Sequence, residues 1–372
     1  MFFDERIETM PRETLQALQL ERLQRQVRYN YEHIPFYKER LDECGVGPDG
    51  IHSLDDLRKI PFTVKNDLRE HYPYGLFAVP MKDVVRIQGS TGTTGRPTIV
   101  GYTRKDVDTW SQLTARLAMA VGVNCEDVVQ VAFGYGLFTG ALGMHAAVER
   151  IGCTVIPLSS GNTERQIMIM RDLGTTVLIA TPSYALYLAE TMERMGLDPK
   201  ADTKLRIGLF GGEATSPMMQ EELRRRMGIL ATDNYGLSEL FGPGIAGECE
   251  CQCGMHFAED HFIAEVIDPE TGEVLPEGEL GELVLTNLTR EACPVLRYRT
   301  RDMTRIHYEK CACGRTHARM EKLHGRSDDM LVIRGVNVFP SQVELVLARV
   351  PEVGPNYEIV VSRQGALDQD RK

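Results

Sequence analysis

The run Gln88-Gly89-Ser90-Thr91-Gly92-Thr93-Thr94-Gly95-Arg96 sets three glycines and four hydroxyl residues into seven positions and follows them with a cation. Glycines let backbone N–H groups turn inward and approach a ligand with no Cβ in the way. The hydroxyls add donors, and Arg96 adds fixed charge. Such a loop suits a polyphosphate. It is not a Walker loop, because the Gly-x4-Gly-Lys-Ser/Thr spacing and the following helix are missing. Strand-like segments flank it, Asp83–Ile87 before and Thr98–Tyr102 after, so the loop is expected at the tip of a hairpin.

Carboxylates and thiols form further groups downstream. Phe210-Gly211-Gly212-Glu213-Ala214 follows an apolar strand-like stretch, and Asp233-Asn234-Tyr235-Gly236-Leu237-Ser238-Glu239 follows another. Tyr298-Arg299-Thr300-Arg301-Asp302 and Gly325-Arg326-Ser327-Asp328-Asp329 come after. Phe133-Gly134-Tyr135-Gly136-Leu137-Phe138 links a strand to a helix, so it lies where ligands gather in open α/β sheets. Tyr135 and Phe138 could frame an aromatic acid there, or could simply fill the core. Cys249, Cys251, Cys253 and His256 make one knot, and Cys311 with Cys313 another. Together they offer enough soft ligands for a closed tetrahedral zinc site, although the spacing is not that of a zinc finger and free thiols stay open as the alternative. Cys44, Cys125, Cys153 and Cys293 are isolated and read as packing residues.

Elements that could position these groups follow from periodicity. Leu15, Leu18, Leu20, Leu23 and Val27 lie near one face of a helix within Thr14–Cys44, broken at His33-Ile34-Pro35. Arg104–Val121 reads as a helix with Thr103 as N-cap. Strands near Val128–Phe133 and Thr176–Ala180 then alternate with helices over Phe138–Ile151, Glu164–Leu173 and Ser183–Met195. This alternation implies helices covering a largely parallel sheet. Beyond Phe257 the pattern turns to hairpin strands, with a turn at Asp268-Pro269-Glu270-Thr271-Gly272.

A chain of 372 residues with 42% hydrophobic content can bury a large core and form two domains. Its net charge of −11 argues against nucleic acid or an anionic membrane as partner. No apolar run reaches the ~18 residues of a membrane span. The N-terminus lacks the basic and apolar regions of a signal peptide. With nine cysteines, this points to a reducing cytoplasm.

In this order, the motifs resemble the adenylate-forming superfamily of acyl-CoA synthetases, luciferases and peptide-synthetase adenylation domains. The resemblance is closest to the phenylacetate–CoA ligase family. Its marks are Arg297 through Asp302, the run from Gly325 through Gln342, Pro61-Phe62-Thr63-Val64-Lys65-Asn66-Asp67-Leu68-Arg69, and Glu259-Asp260-His261-Phe262. It implies an α/β fold: a large domain over 1–327 with stacked sheets, helices and a β-rich zinc-bearing part, then a small partial α+β lid over 328–372. It implies ATP-dependent activation of an aryl acid to acyl-AMP and pyrophosphate, then transfer to coenzyme A. An adenylate-forming enzyme with a non-CoA acceptor, or a nucleotide-binding module without catalysis, stay as alternatives.

The resemblance also assigns roles. Ser90, Thr91, Gly92, Thr93, Thr94 and Gly95 would cradle the phosphates. Gly211, Gly212 and Glu213 would line adenine, Tyr235 would stack on it, and Asp233 and Gly236 belong to the same nucleotide-binding run. Asp302 would accept both ribose hydroxyls, and Arg326 would reach the ribose or phosphates. Glu239 fits a Mg²⁺ ligand, with a helix-capping role as the alternative. The zinc set matching the family is Cys249, His256, Cys311 and Cys313, with Cys251 and Cys253 spare. Asp328 would be the hinge of the lid. About forty residues follow it, and their only lysine, Lys372, is not assigned the role of the family's late lysine; a partial lid is expected. A homodimer is the expected assembly.

Overall fold

The computed structural model of the chain describes residues 1–90, 97–328, 331–333, 336–338, 340–347 and 359. Thr91, Gly92, Thr93, Thr94, Gly95 and Arg96 therefore lie outside the described residues, as does most of the segment beyond Asp328. The N-terminal part holds α1 (Glu5–Glu8), α2 (Arg12–His33), α3 (Pro35–Glu43) and α4 (Lys65–Glu70). The break between α2 and α3 falls where Pro35 requires it: Ile34 is extended and Pro35 opens the next helix. Leu15, Leu23 and Val27 are buried as the helical period demands.

The hairpin β1 (Arg86–Gly89) and β2 (Ile99–Tyr102) is antiparallel, with Gly89 opposite Ile99. Its first strand starts at Arg86 rather than Asp83, because a 3-10 turn over Met81–Asp83 follows Pro80. α5 (Arg104–Ala120) opens on a full capping box, Thr103 with Asp106. Then β3 (Val128–Val131), α6 (Thr139–Ile151), β4 (Thr154–Ile156), α7 (Thr163–Asp172), β5 (Val177–Ala180), α8 (Pro182–Arg194), β6 (Ile207–Phe210), α9 (Pro217–Met227) and β7 (Leu230–Leu237) alternate.

Strands β8 (Gly242–Glu248) and β9 (Met255–Phe257) follow, then β10 (Phe262–Ile267), β11 (Gly281–Asn287), β12 (Tyr298–Thr304), β13 (Ile306–His307), β14 (Arg319–Met320) and β15 (Gly325–Arg326). The turn before β11 is closed by Asp268, whose carboxylate accepts from the N–H groups of Glu270 and Thr271. Beyond it are β16 (Leu331–Ile333), β17 (Val336–Val338) and α10 (Pro340–Leu347).

Nine strands form one sheet in the order β13-β14-β9-β8-β7-β6-β5-β3-β4. Its β4, β3, β5, β6 and β7 run parallel, as the alternating pattern requires, and the remainder is antiparallel. A second, antiparallel sheet has the order β10-β11-β12-β15. Trp110 of α5 is buried at the centre, stacked on Tyr102 at 4.9 Å with its Nε1 donating to the Pro243 carbonyl at 2.7 Å. Gly143 admits that ring: a Cβ there would lie 2.3 Å from it. Cys153 and Cys293 are buried, as packing residues should be, but Cys44 and Cys125 are exposed: Cys44 follows the last residue of α3, and Cys125 lies in the loop between α5 and β3. Among the described residues no helix is long and apolar enough to cross a membrane.

Candidate active site and metal cluster

The carboxyl-terminal half of β7 meets the edge where β12 pairs with β15. Asp302 lies opposite Arg326 in that pairing, so two motifs separated by more than twenty residues are brought together by strand register. Asp302 is 4% exposed, and its Oδ2 accepts from the Tyr235 hydroxyl at 2.6 Å. Its Oδ1 accepts from Arg326 Nη1 at 3.2 Å. Burial pushes its pKa up to about 6, while the Tyr235 hydrogen bond pulls the other way. Tyr235 is itself buried, so its polar end is committed to Asp302. Arg326 is shared: Nε and Nη2 donate to the Asp328 carboxylate at 2.9 and 3.1 Å.

Glu239 sits in the turn between β7 and β8, which Gly236 permits: a Cβ there would meet the Gly242 carbonyl oxygen at 2.1 Å. Its carboxylate is 3% exposed, yet Oε1 accepts no hydrogen bond among the described residues. Lys65 Nζ stands 3.2 Å from that oxygen. A buried carboxylate whose partner is a lysine ammonium is of the type that can also take a hard cation. Asp233 is half-buried beside Lys322 and Glu248, and burial raises its carboxyl to about 7. Gly211 packs on Asn234, whose side chain donates to the Phe210 carbonyl. Glu213 accepts from the Ser183 N–H at the start of α8 at 2.7 Å.

Aromatic side chains gather after β3: Phe133 lies in the core, and Tyr135 and Phe138 are partly buried against it. Phe133 and Phe138 meet edge-on at 6.0 Å, and a Cβ on Gly212 would touch both rings at 3.8–3.9 Å. Tyr135 turns its hydroxyl to His145 Nδ1 at 2.9 Å. The cluster joins the phosphate hairpin directly: Gly89 N–H donates to the Leu137 carbonyl at 2.9 Å and Gln88 Nε2 to the Phe138 carbonyl at 3.1 Å. Ser90 continues the hairpin, its N–H donating to the Thr98 carbonyl at 3.0 Å.

Three further residues sit at this site to which the sequence motifs assigned no role. Lys65 faces Glu239 from the first turn of α4. Arg290 is buried with one nitrogen on the Glu239 carbonyl at 3.0 Å. Glu282, fully buried, accepts from Arg299 at 2.7 and 3.0 Å, from the Arg301 N–H at 3.3 Å and from Ser327 Oγ at 3.1 Å. It thereby holds Arg301 at φ 68°, a left-handed conformation unusual for arginine, directly before Asp302. The only sequence signal for Glu282 was an acidic residue in an otherwise apolar strand.

The cysteine knots converge across β9 and β14. Ligand atoms of Cys249, His256, Cys311 and Cys313 all lie within 4.8 Å of one another. Cys249 and Cys311 sulfurs are 3.8 Å apart, and Cys313 Sγ is 3.5 Å from His256 Nε2. Metal–sulfur bonds near 2.3 Å in a tetrahedron separate sulfurs by about 3.8 Å, so the donor set and its spacing fit zinc. His256 Nδ1 is turned to the His317 carbonyl at 3.2 Å, which orients the ring. Cys253 lies 3.4 Å from Cys311 Sγ, and Cys251 is exposed.

Residues 49–288 match the family of AMP-binding enzymes, and residues 335–370 match the C-terminal domain of AMP-binding enzymes. A phenylacetate–coenzyme A ligase of Thermus thermophilus is 51% identical over 99% of this chain and 83% of its own length. The chain belongs to the phenylacetate–coenzyme A ligase family of AMP-binding enzymes. An Escherichia coli phenylacetate–coenzyme A ligase is 49% identical over 97% of the chain and 82% of its own length. A crystal structure of a 2-hydroxyisobutyryl-CoA ligase, in the postadenylation state with an acyl-AMP, superposes with a TM-score of 0.91 at 30% identity, covering 99% of this chain and 79% of that one. An open form of that ligase, with 2-HIB-AMP and coenzyme A, gives 0.89 over 96% of this chain and 86% of that one. The chemistry is thus ATP-dependent acyl-CoA formation, that of an AMP-forming acid–coenzyme A ligase.

Proposed function

We propose that the acid is an aryl carboxylic acid of the phenylacetate kind. The observation that carries this is the aromatic cluster of Phe133 and Phe138 beside Gly212, tied through Leu137 and Phe138 to the phosphate hairpin. A ring packed against Phe138 beside Gly212 would set its carboxylate toward the loop that would hold the nucleotide phosphates. Attack on the α-phosphorus then needs little covalent work from the protein, only positioning and charge stabilisation.

Within this reading, Asp302 accepts the ribose hydroxyls, Tyr235 holds its carboxylate in place, and Arg326 balances its charge. Gly211, Gly212 and Glu213 line the base, with Asp233, Tyr235 and Gly236 in the same run. Ser90 through Gly95 cradle the phosphates. Glu239 would hold Mg²⁺, which screens the phosphate charge when bound. Cys249, His256, Cys311 and Cys313 would hold a structural zinc with no open position. Asp328 would be the hinge between a large domain over 1–327 and the lid over 328–372, in a cytoplasmic enzyme.

ATP–pyrophosphate exchange driven by a panel of acids tests the substrate. Phenylacetate should support exchange well above acetate or a long fatty acid. A preference for a short aliphatic acid would overturn the assignment.

A further inference from the structure

Arg290 is a fully buried cation near the site that no assigned role explains. It lies in the loop between β11 and β12 and is 1% exposed. Among the described residues its guanidinium meets two carbonyls and two ring faces rather than a carboxylate. Nη1 donates to the Glu239 carbonyl at 3.0 Å and Nη2 to the Gly101 carbonyl at 3.2 Å. The cation sits 4.8 Å from the Tyr102 ring centroid and 5.1 Å from that of Phe241. Among the described residues its Nε finds no hydrogen-bond partner. A buried ion compensated this way contributes little to stability, and an apolar side chain of similar volume commonly does as well.

What the arrangement does provide is a fixed span. Gly101 and Tyr102 belong to β2, the strand that follows the phosphate loop, and Glu239 lies in the turn between β7 and β8 with its carboxylate facing Lys65. Arg290 bridges the two through the two nitrogens of one rigid plane. Its own loop is anchored: Asp106, in the capping box of α5, accepts from the N–H groups of Glu291 and Ala292 at 2.8 and 2.9 Å. The chain from α5 through Arg290 to Glu239 is thus continuous.

We propose that Arg290 is a positioning residue that sets the separation between the phosphate-binding hairpin and the Glu239 carboxylate, and so tunes recognition of the Mg²⁺–triphosphate. This rests on the reading of Glu239 as the Mg²⁺ ligand. Arg290→Lys keeps the charge but cannot span both carbonyls, and Arg290→Met keeps only the bulk.

Calorimetry with α,β-methylene-ATP, in Mg²⁺ and in EDTA, gives the gain in affinity due to the metal without turnover. Both variants should lose at least about fivefold of that gain, while adenosine affinity in EDTA stays within about twofold of wild type. A preserved gain in both, or a parallel loss of adenosine binding, would overturn the proposal. Should the methionine variant not fold, the lysine variant decides; an insoluble lysine variant would make Arg290 a folding determinant and count against the proposal. Glu239→Gln separates the two readings. If it retains the full gain, the reading of Glu239 itself fails; if it loses the gain and the Arg290 variants do not, only the positioning role fails.

Discussion

The Tyr235 hydroxyl donates to Asp302 Oδ2 at 2.6 Å, across a gap in sequence of 67 residues. It ties the end of β7 in the large sheet to β12 in the smaller one. Burial pushes the Asp302 carboxyl up to about 6, and the Tyr235 bond, with the charge of Arg326, opposes that rise and favours the ionised form a ribose needs.

Asp302→Ala should weaken ATP binding by ~3 kcal/mol or more, the loss of two charge-assisted hydrogen bonds. AMP and adenosine should suffer alike, because the loss is at the sugar. Titration calorimetry reads all three, and wild-type affinity in this variant would remove Asp302 from the nucleotide site.

Proton uptake by Asp302 should be visible in adenosine binding, where no phosphate titrates. The ionised form accepts from both ribose hydroxyls, so affinity is present above the folded pKa and lost as pH falls through about 6. Tyr235→Phe removes the bond that lowers this pKa, so the midpoint should move to higher pH. A titration from about pH 8 to about pH 5 that moves the other way, or does not move, contradicts the coupling.

Metal analysis of protein purified without added zinc should give about one zinc per chain. Cys311→Ser should lower the melting temperature markedly, since structural zinc is worth ~10–16 kcal/mol of apparent binding energy in small peptides. A metal-free preparation with an unchanged melting curve would exclude the site.

Phe138→Ala should raise the Michaelis constant for an aryl acid by about tenfold or more through lost apolar contact, and leave that for ATP nearly unchanged. An effect confined to ATP would place Phe138 on the nucleotide side.

Local signals carried far in this chain. The Thr103–Asp106 capping box, the break at Pro35 and the alternation from Val128 to Leu237 are decided by neighbours in sequence, and the corresponding elements form within a few residues of expectation. The two cysteine knots were also readable, because thiol and imidazole density is a property of composition. Arg290 and Glu282 were not readable. Their partners, Gly101 with Glu239 and Ser327 with Arg301, are set by strand register and loop docking, which no short window contains. Cys253 shows the same limit: its approach to Cys311 depends on how β9 pairs with β14. The aromatic cluster was half readable, since Phe138 lay in a motif, but its approach to Gly212 joins the segments after β3 and β6, which β5 separates in the sheet.

The most direct test follows oxygen. With phenylacetate labelled in both carboxylate oxygens with ¹⁸O, the enzyme, Mg²⁺–ATP and coenzyme A should yield phenylacetyl-CoA, pyrophosphate and AMP carrying one labelled oxygen. That result requires attack of the carboxylate on the α-phosphorus. Label appearing in inorganic phosphate with ADP as the nucleotide product, or unlabelled AMP, would contradict the account.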